Sequence, residues 1–316
     1  MPQVSNITSP PLPSHASLIL RGILLPFTTP FKQNEEFDAE GLRANLRRWN
    51  ATGIAGYVAL GSTGERVNVN EREYLEIIEC AREEVPKNLS FIVGAGQESR
   101  RGTINEIKRA AEAGADAVLV ITPHFYRAAI TQTALVNHYQ AIADASPIPL
   151  LLYSMPDLTG VRIEPETAAE LSQHPNIIGI KDSSADVAKL RETIQLSPAD
   201  FAVLTGNGTV LYEALRAGAW GGILAVGCVA TICCLEIFRL VGAENYEQAL
   251  VLQEKLTPLA LAVTKRYGIG GLKASLNMLG LAGGAARLPL EPPSAAAQDE
   301  IASLLDAVHG AMPLKA

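Results

Sequence analysis

IIGIKDSS, residues 177–184, sets three isoleucines and a glycine ahead of a lysine, an aspartate and two serines. A short apolar run rich in β-branched residues reads as a strand buried on both faces, as in parallel sheets. Lys181 then stands at the tip of a hydrophobic strand, where an ammonium loses hydration unless it is paired or used. Two readings stay open at this point. Lys181 pairs with Asp182 or another acid at the strand end, or it is kept as an amine that attacks a carbonyl.

Working outward, the same kind of run recurs at intervals of roughly 25 to 30 residues, the length of a βα unit. The eight runs are GILLPFTTPF from Gly22, GYVAL from Gly56, FIVGAG from Phe91, AVLVIT from Ala117, PLLLYS from Pro149, IIGIKDS from Ile177, FAVLTG from Phe201 and GGILAV from Gly221. Helical patterns lie between them, such as 38–51 with Asp38 as N-cap and 70–85 with Pro86 as the stop. AGAD at 113–116 and AGAW at 217–220 place a glycine at a helix end just before the next strand. Eight such units either close into a barrel or open into a doubly wound sheet. Even spacing, and no GxGxxG after the first run, favour the closed form, a (β/α)8 TIM barrel. After Ala225 strand signals stop, and helical patterns begin at Thr231, Asn245, Gly271 and Ala295. The expected organisation is a disordered Ser- and Pro-rich extension over 1–17, a barrel over 18–242 and a C-terminal helical extension over 243–316.

Composition narrows the function classes. The 316 residues are 48% hydrophobic but only 5% aromatic, so aliphatic side chains must fill the core. A net charge of -7 argues against a nucleic-acid partner, so any acidic substrate must be held by local groups. The longest apolar stretches, such as 221–235, are interrupted and too short to span a membrane. Residues 1–17 lack the apolar core of a signal peptide, which points to a cytoplasmic protein. Cys80, Cys228, Cys233 and Cys234 form no CxxC pair and match no histidine spacing, so they read as reduced core thiols rather than zinc ligands. His124, His138, His174 and His309 read as packing or surface residues, and Arg266 as half of an ion pair.

In a barrel of this kind the chemistry sits at the C-terminal ends of the strands. Strand two ends in GSTGER (61–66), strand five in Tyr153-Ser154, strand six in Lys181-Asp182-Ser183 and strand seven in Gly206-Asn207-Gly208. Tyr153 and Lys181 are one βα unit apart and so project from neighbouring strands. A phenol beside an amine suits imine chemistry, since one group moves protons while the other makes the adduct. Alone, Tyr153 reads equally as an interior residue with a wet hydroxyl. The 61–64 turn offers two hydroxyls and successive backbone N–H groups, a way to hold a carboxylate without a cation. It is also an ordinary glycine-rich turn.

Taken together, GSTGE, the tyrosine of LLYSMP, the lysine of IIGIKDSS and the glycine pair after strand seven resemble the dihydrodipicolinate synthase and N-acetylneuraminate lyase family of class I, Schiff-base aldolases. The resemblance runs from about Gly22 to Pro289. It implies that Lys181 forms an imine with a 2-keto acid, usually pyruvate, and that Tyr153 shuttles protons. It gives Ser62 and Thr63 the keto-acid carboxylate, with Thr63 counted among the catalytic groups, and sets Gly206 and the backbone of Ile223 beside the imine. It also implies a homotetramer. Because the imine is the electron sink, neither a metal nor an organic cofactor is required.

Two departures choose among members. Synthases carry an arginine five residues after the shuttle tyrosine, to bind the second substrate's carboxylate, and this chain has Leu158 there. SPIPLLLYSMP, LSQHPNIIGIKDS, TKRYGIGGLK and TPHFYR are closer to the 4-hydroxy-2-oxoglutarate aldolase branch. Phe125 stands where members place a tyrosine donated across a subunit contact, with Tyr126 one residue on. The leading expectation is cleavage of a 4-hydroxy-2-keto acid to pyruvate and an aldehyde. The alternatives are a synthase-like condensation of pyruvate with aspartate semialdehyde, a sugar-acid aldolase or dehydratase, and a keto-acid-binding protein without turnover.

Overall fold

In the computed structural model, which describes residues 18–311, every one of the eight apolar runs contains a strand. These are β1 (Gly22–Leu25), β2 (Gly56–Ala59), β3 (Ser90–Ala95), β4 (Ala117–Ile121), β5 (Leu150–Ser154), β6 (Ile177–Asp182), β7 (Ala202–Thr205) and β8 (Gly221–Ile223). All pair in parallel in sequence order, and β8 returns to β1 through Leu24 opposite Ile223, so the sheet closes as a TIM barrel. The expected extension over 1–17 lies outside the described residues.

Side-chain alternation sorts each strand between two cores. Leu150 and Leu152 of β5 join the large cluster between sheet and helices, while Leu151 and Tyr153 join the cluster inside the barrel. Leu24, Val58, Leu119, Leu204 and Ile223 fill that interior with them. The helices start where the sequence places them, Asp38 as the expected N-cap and Asn70 at the expected start of its stretch. Asp38 accepts from Gly41 N at 3.1 Å ahead of helix Ala39–Asn50, and Asn70 with Glu73 closes a capping box on helix Glu71–Glu84.

Beyond β8 the chain forms helices Thr231–Gly242, Tyr246–Leu261, Gly268–Met278 and Ala295–His309. The third begins three residues before the expected Gly271, with Gly270 packed against the Glu291 carbonyl. A close backbone contact there outweighs the poor helix propensity of the glycines. The extension reaches back to the barrel at several points, two of them close to strand ends. Gln253 donates to Gly208 O at 3.0 Å and accepts from Tyr212 N at 2.9 Å, after β7. Phe31, after β1, bridges both Phe37 and Ala285. No helix among the described residues is long and apolar enough to cross a membrane.

Candidate active site

A slip in strand pairing aims the lysine. Leu150 lies opposite Ile177, but the next β5 residue, Leu151, lies opposite Gly179, so β6 carries one extra residue at Ile178. The consequence shows in the packing: Ile177 and Ile180 both face the helices, although an unbroken alternation would set them on opposite faces. The bulge inverts the parity of everything after it, turning Lys181 from the helix side to the barrel interior. It also puts Lys181 directly opposite Tyr153. Gly179 permits the slip, since a Cβ there would run into the Ala202 carbonyl of β7.

Inside the barrel mouth Lys181 is 4% exposed, with its Nζ 4.4 Å from the centroid of the Tyr153 ring. Among the described residues it makes no ion pair. Asp182, the partner of the simpler reading, is occupied elsewhere: its Oδ1 accepts from Ser184 N at 2.7 Å and from Ser184 Oγ at 2.5 Å. Burial raises the Asp182 carboxyl above the usual range, and the two bonds from Ser184 offset part of that. The Tyr153 hydroxyl lies 3.3 Å from Ser62 Oγ, which links the β2 loop to the amine through the phenol.

The remaining expected residues gather around this line. Thr63 is buried next to Ser62. Gly206 lies on the Lys181 stem, where a Cβ would come within 2.7 Å of Cε and would collide with Ser183 Oγ. Ile223 belongs to the same interior cluster as Tyr153. Ser183 is a residue that sequence reasoning did not assign. It sits two positions after Lys181, just past the end of β6, where a serine carries no signal in the sequence that would single it out.

Other candidates lie apart. Phe125 and Tyr126 are 74% and 71% exposed, their loop held by Glu98 Oε2 accepting from His124 N at 3.0 Å and Phe125 N at 2.9 Å. Neither ring hydrogen-bonds to Tyr153 or Ser62, so within one chain the hydroxyl line ends at Ser62. Leu158 is exposed on the short helix Pro156–Thr159 that follows β5. Arg127 comes close to that helix, its Cδ 2.7 Å from where a Cβ on Gly160 would sit. Arg266 is paired with Glu300, while its neighbour Lys265 meets Asp157 Oδ2 at 3.0 Å on the Leu158 helix. His174 meets Asp144 Oδ1 at 3.1 Å and His309 meets Val229 O at 2.9 Å. All four cysteines are buried and free, and burial pushes the Cys80 thiol up to about 11.

A buried amine against a phenol, beside a hydroxyl-bearing turn, is equipped to form an imine with a carbonyl acid and to move protons on it. The family model described as the dihydrodipicolinate synthetase family matches residues 19–308. The 4-hydroxy-tetrahydrodipicolinate synthase of Rhodopseudomonas palustris (strain BisA53) is 34% identical over 290 residues, covering 92% of this chain and 97% of the relative. A dihydrodipicolinate synthase from Thermotoga maritima superposes with a TM-score of 0.86 at 32% identity, over 92% of this chain and 99% of that one. The chloride-inhibited dihydrodipicolinate synthase from Acinetobacter baumannii, complexed with pyruvate, superposes with a TM-score of 0.85 at 30% identity, over 92% and 99%.

Proposed function

The chain belongs to the dihydrodipicolinate synthetase family, and from that premise we propose that it is a pyruvate-forming lyase that cleaves a 4-hydroxy-2-keto acid through an imine on Lys181. The observation that carries this reading is the Lys181 amine, buried without a counter-ion over the Tyr153 ring, with the phenol in reach of Ser62.

The amine adds to the C2 carbonyl and water leaves, giving an iminium. Tyr153 takes the proton from the C4 hydroxyl, the C3–C4 bond breaks, and its electron pair enters the iminium as an enamine. Protonation at C3 and hydrolysis release pyruvate and return the lysine. The hydroxyls and N–H groups of Ser62 and Thr63 hold the C1 carboxylate, while Gly206 and Ile223 bound the pocket beside the imine. With 4-hydroxy-2-oxoglutarate the aldehyde is glyoxylate. Support for a pyruvate moiety comes from the Acinetobacter baumannii relative, which is complexed with pyruvate.

A second reading is condensation of pyruvate with aspartate semialdehyde. It is favoured by the names of the curated relatives, and by Arg127 packing against Gly160, the residue that ends the helix carrying Leu158. Against it stands the aliphatic Leu158 where the resemblance calls for arginine. Leaving a substrate carboxylate without its charged partner costs on the order of 1.5–3 kcal/mol, roughly one to two decades in specificity. We therefore expect cleavage of 4-hydroxy-2-oxoglutarate to exceed condensation in kcat/KM by at least about tenfold. Measuring both on one preparation tests the assignment. Efficient condensation would transfer it to the second reading, and binding of pyruvate without either turnover would point to a keto-acid-binding protein. The assembly belonging to this reading is a homotetramer, supported by the solvent-facing Phe125 and Tyr126.

A further inference from the structure

The loop that carries Ser62 and Thr63 is bracketed by two non-glycine residues in the left-handed region, Leu60 and Glu65, each with φ 55°. Such conformations cost about 1–3 kcal/mol and persist only where their surroundings over-determine them. At Glu65 the surroundings are electrostatic. Its carboxylate is almost wholly buried and pairs with the equally buried Lys273 of helix Gly268–Met278. Lys273 is held in turn by Ala285 O at 2.6 Å and by the Phe31 ring, 4.5 Å from Nζ to the centroid. The second carboxylate oxygen of Glu65 accepts from Arg287 N at 3.2 Å and Asn68 Nδ2 at 3.4 Å. Glu65 Oε1 has no directed hydrogen bond and rests on the Lys273 ammonium for its compensation.

We propose that Lys273 is a positioning residue for keto-acid binding: acting through Glu65, it fixes the Ser62–Thr63 turn and neutralises the carboxylate that would otherwise repel the substrate's own. This rests on the reading in which that turn holds the C1 carboxylate of a substrate bound as an imine on Lys181. Thr29 Oγ1, donating to Gly64 O at 2.7 Å, anchors the loop at the same end. With Lys273 removed, the loop loses its hold on Glu65, and a buried carboxylate three residues from Ser62 loses the cation paired directly with it. With Glu65 made neutral, Lys273 can shed its proton, since burial already holds it below the usual lysine range. Only the hold is lost in that case.

The test is borohydride trapping of pyruvate as a function of pyruvate concentration, on the parent, Lys273→Met and Glu65→Gln, with folding checked by circular dichroism and thermal melting. Lys273→Met should raise the half-saturating concentration by at least about tenfold, and Glu65→Gln by a smaller factor, with trapping rates at saturation within about threefold of the parent. A purely structural role would lower the folded fraction without moving half-saturation. If Lys273→Met does not fold, the near-isosteric Glu65→Gln carries the comparison. Folded variants with the parent's half-saturation would overturn the inference alone, whereas a parent that takes no label would overturn the imine reading beneath it.

Discussion

At the scale of single residues the proposed chemistry turns on one nitrogen. Borohydride with pyruvate should add one pyruvate-sized mass per chain at Lys181, read by peptide mass spectrometry, and Lys181→Arg should abolish it because a guanidinium keeps its proton near neutrality. Tyr153→Phe should still take the label while its cleavage rate falls by about 10²–10⁴, the range for a lost proton-transfer group; unimpaired cleavage would remove Tyr153 from the shuttle. These two residues are visible in the sequence because each closes an apolar strand, where a polar side chain is conspicuous. Ser62 and Thr63 are visible through the glycines around them. Ser183 is not, because a serine after a strand is ordinary until its contact with the Lys181 neighbourhood is known. Lys273 is hidden for a better reason: nothing local distinguishes a lysine in a helix from a solvated one, and its partner Glu65 is distant in sequence.

Elements carry what single residues cannot. All eight strands are legible because consecutive βα units repeat one hydrophobic signature, and the helix starts at Asp38 and Asn70 are legible too, although only Asp38 is read as a cap. The bulge in β6 is not legible, although an isolated glycine in a strand pattern is its usual mark. Extrapolating strict alternation from Ile177 would have put Lys181 against the helices. Gly179→Ala should therefore cost about 1–3 kcal/mol by forcing β6 away from the Ala202 carbonyl, and slow labelling of Lys181 by about tenfold or more. Parent-like labelling would mean that the bulge does not aim the amine. Helix Gln132–Ala145 makes a separate expectation about acid. Burial, reinforced by the Arg100 charge, pushes His138 down from 6.5 to about 4. The unfolded chain takes up this proton near 6.5, while the folded one refuses it until about 4. Its contribution is therefore complete above pH 6.5 and drains away as pH falls towards 4. His138→Gln should flatten the stability loss between pH 7 and 4.5 by about 1–2 kcal/mol in urea titrations, against an unchanged slope if the imidazole stays solvated.

For the whole molecule the exposed aromatic pair sets the expectation. Phe125 and Tyr126 stack edge to face at 5.0 Å, with centroids free of any covering element among the described residues. Light scattering at micromolar concentration should give a tetramer, and Phe125→Asp with Tyr126→Ser should shift it to a smaller species; a monomeric parent would contradict the assembly. The tie between Glu65 and Lys273 has a consequence in time. A ribosome delivers β8, and with it the last strand of the barrel, well before Lys273 leaves the exit tunnel. A nascent chain that ends after Gly242 already holds every strand, yet it must either bury a carboxylate without a cation or leave that corner open to water. The scaffold is thus complete before the cation proposed to set the Ser62–Thr63 turn, and on that proposal competence to bind a keto acid arrives only after the barrel has all its strands.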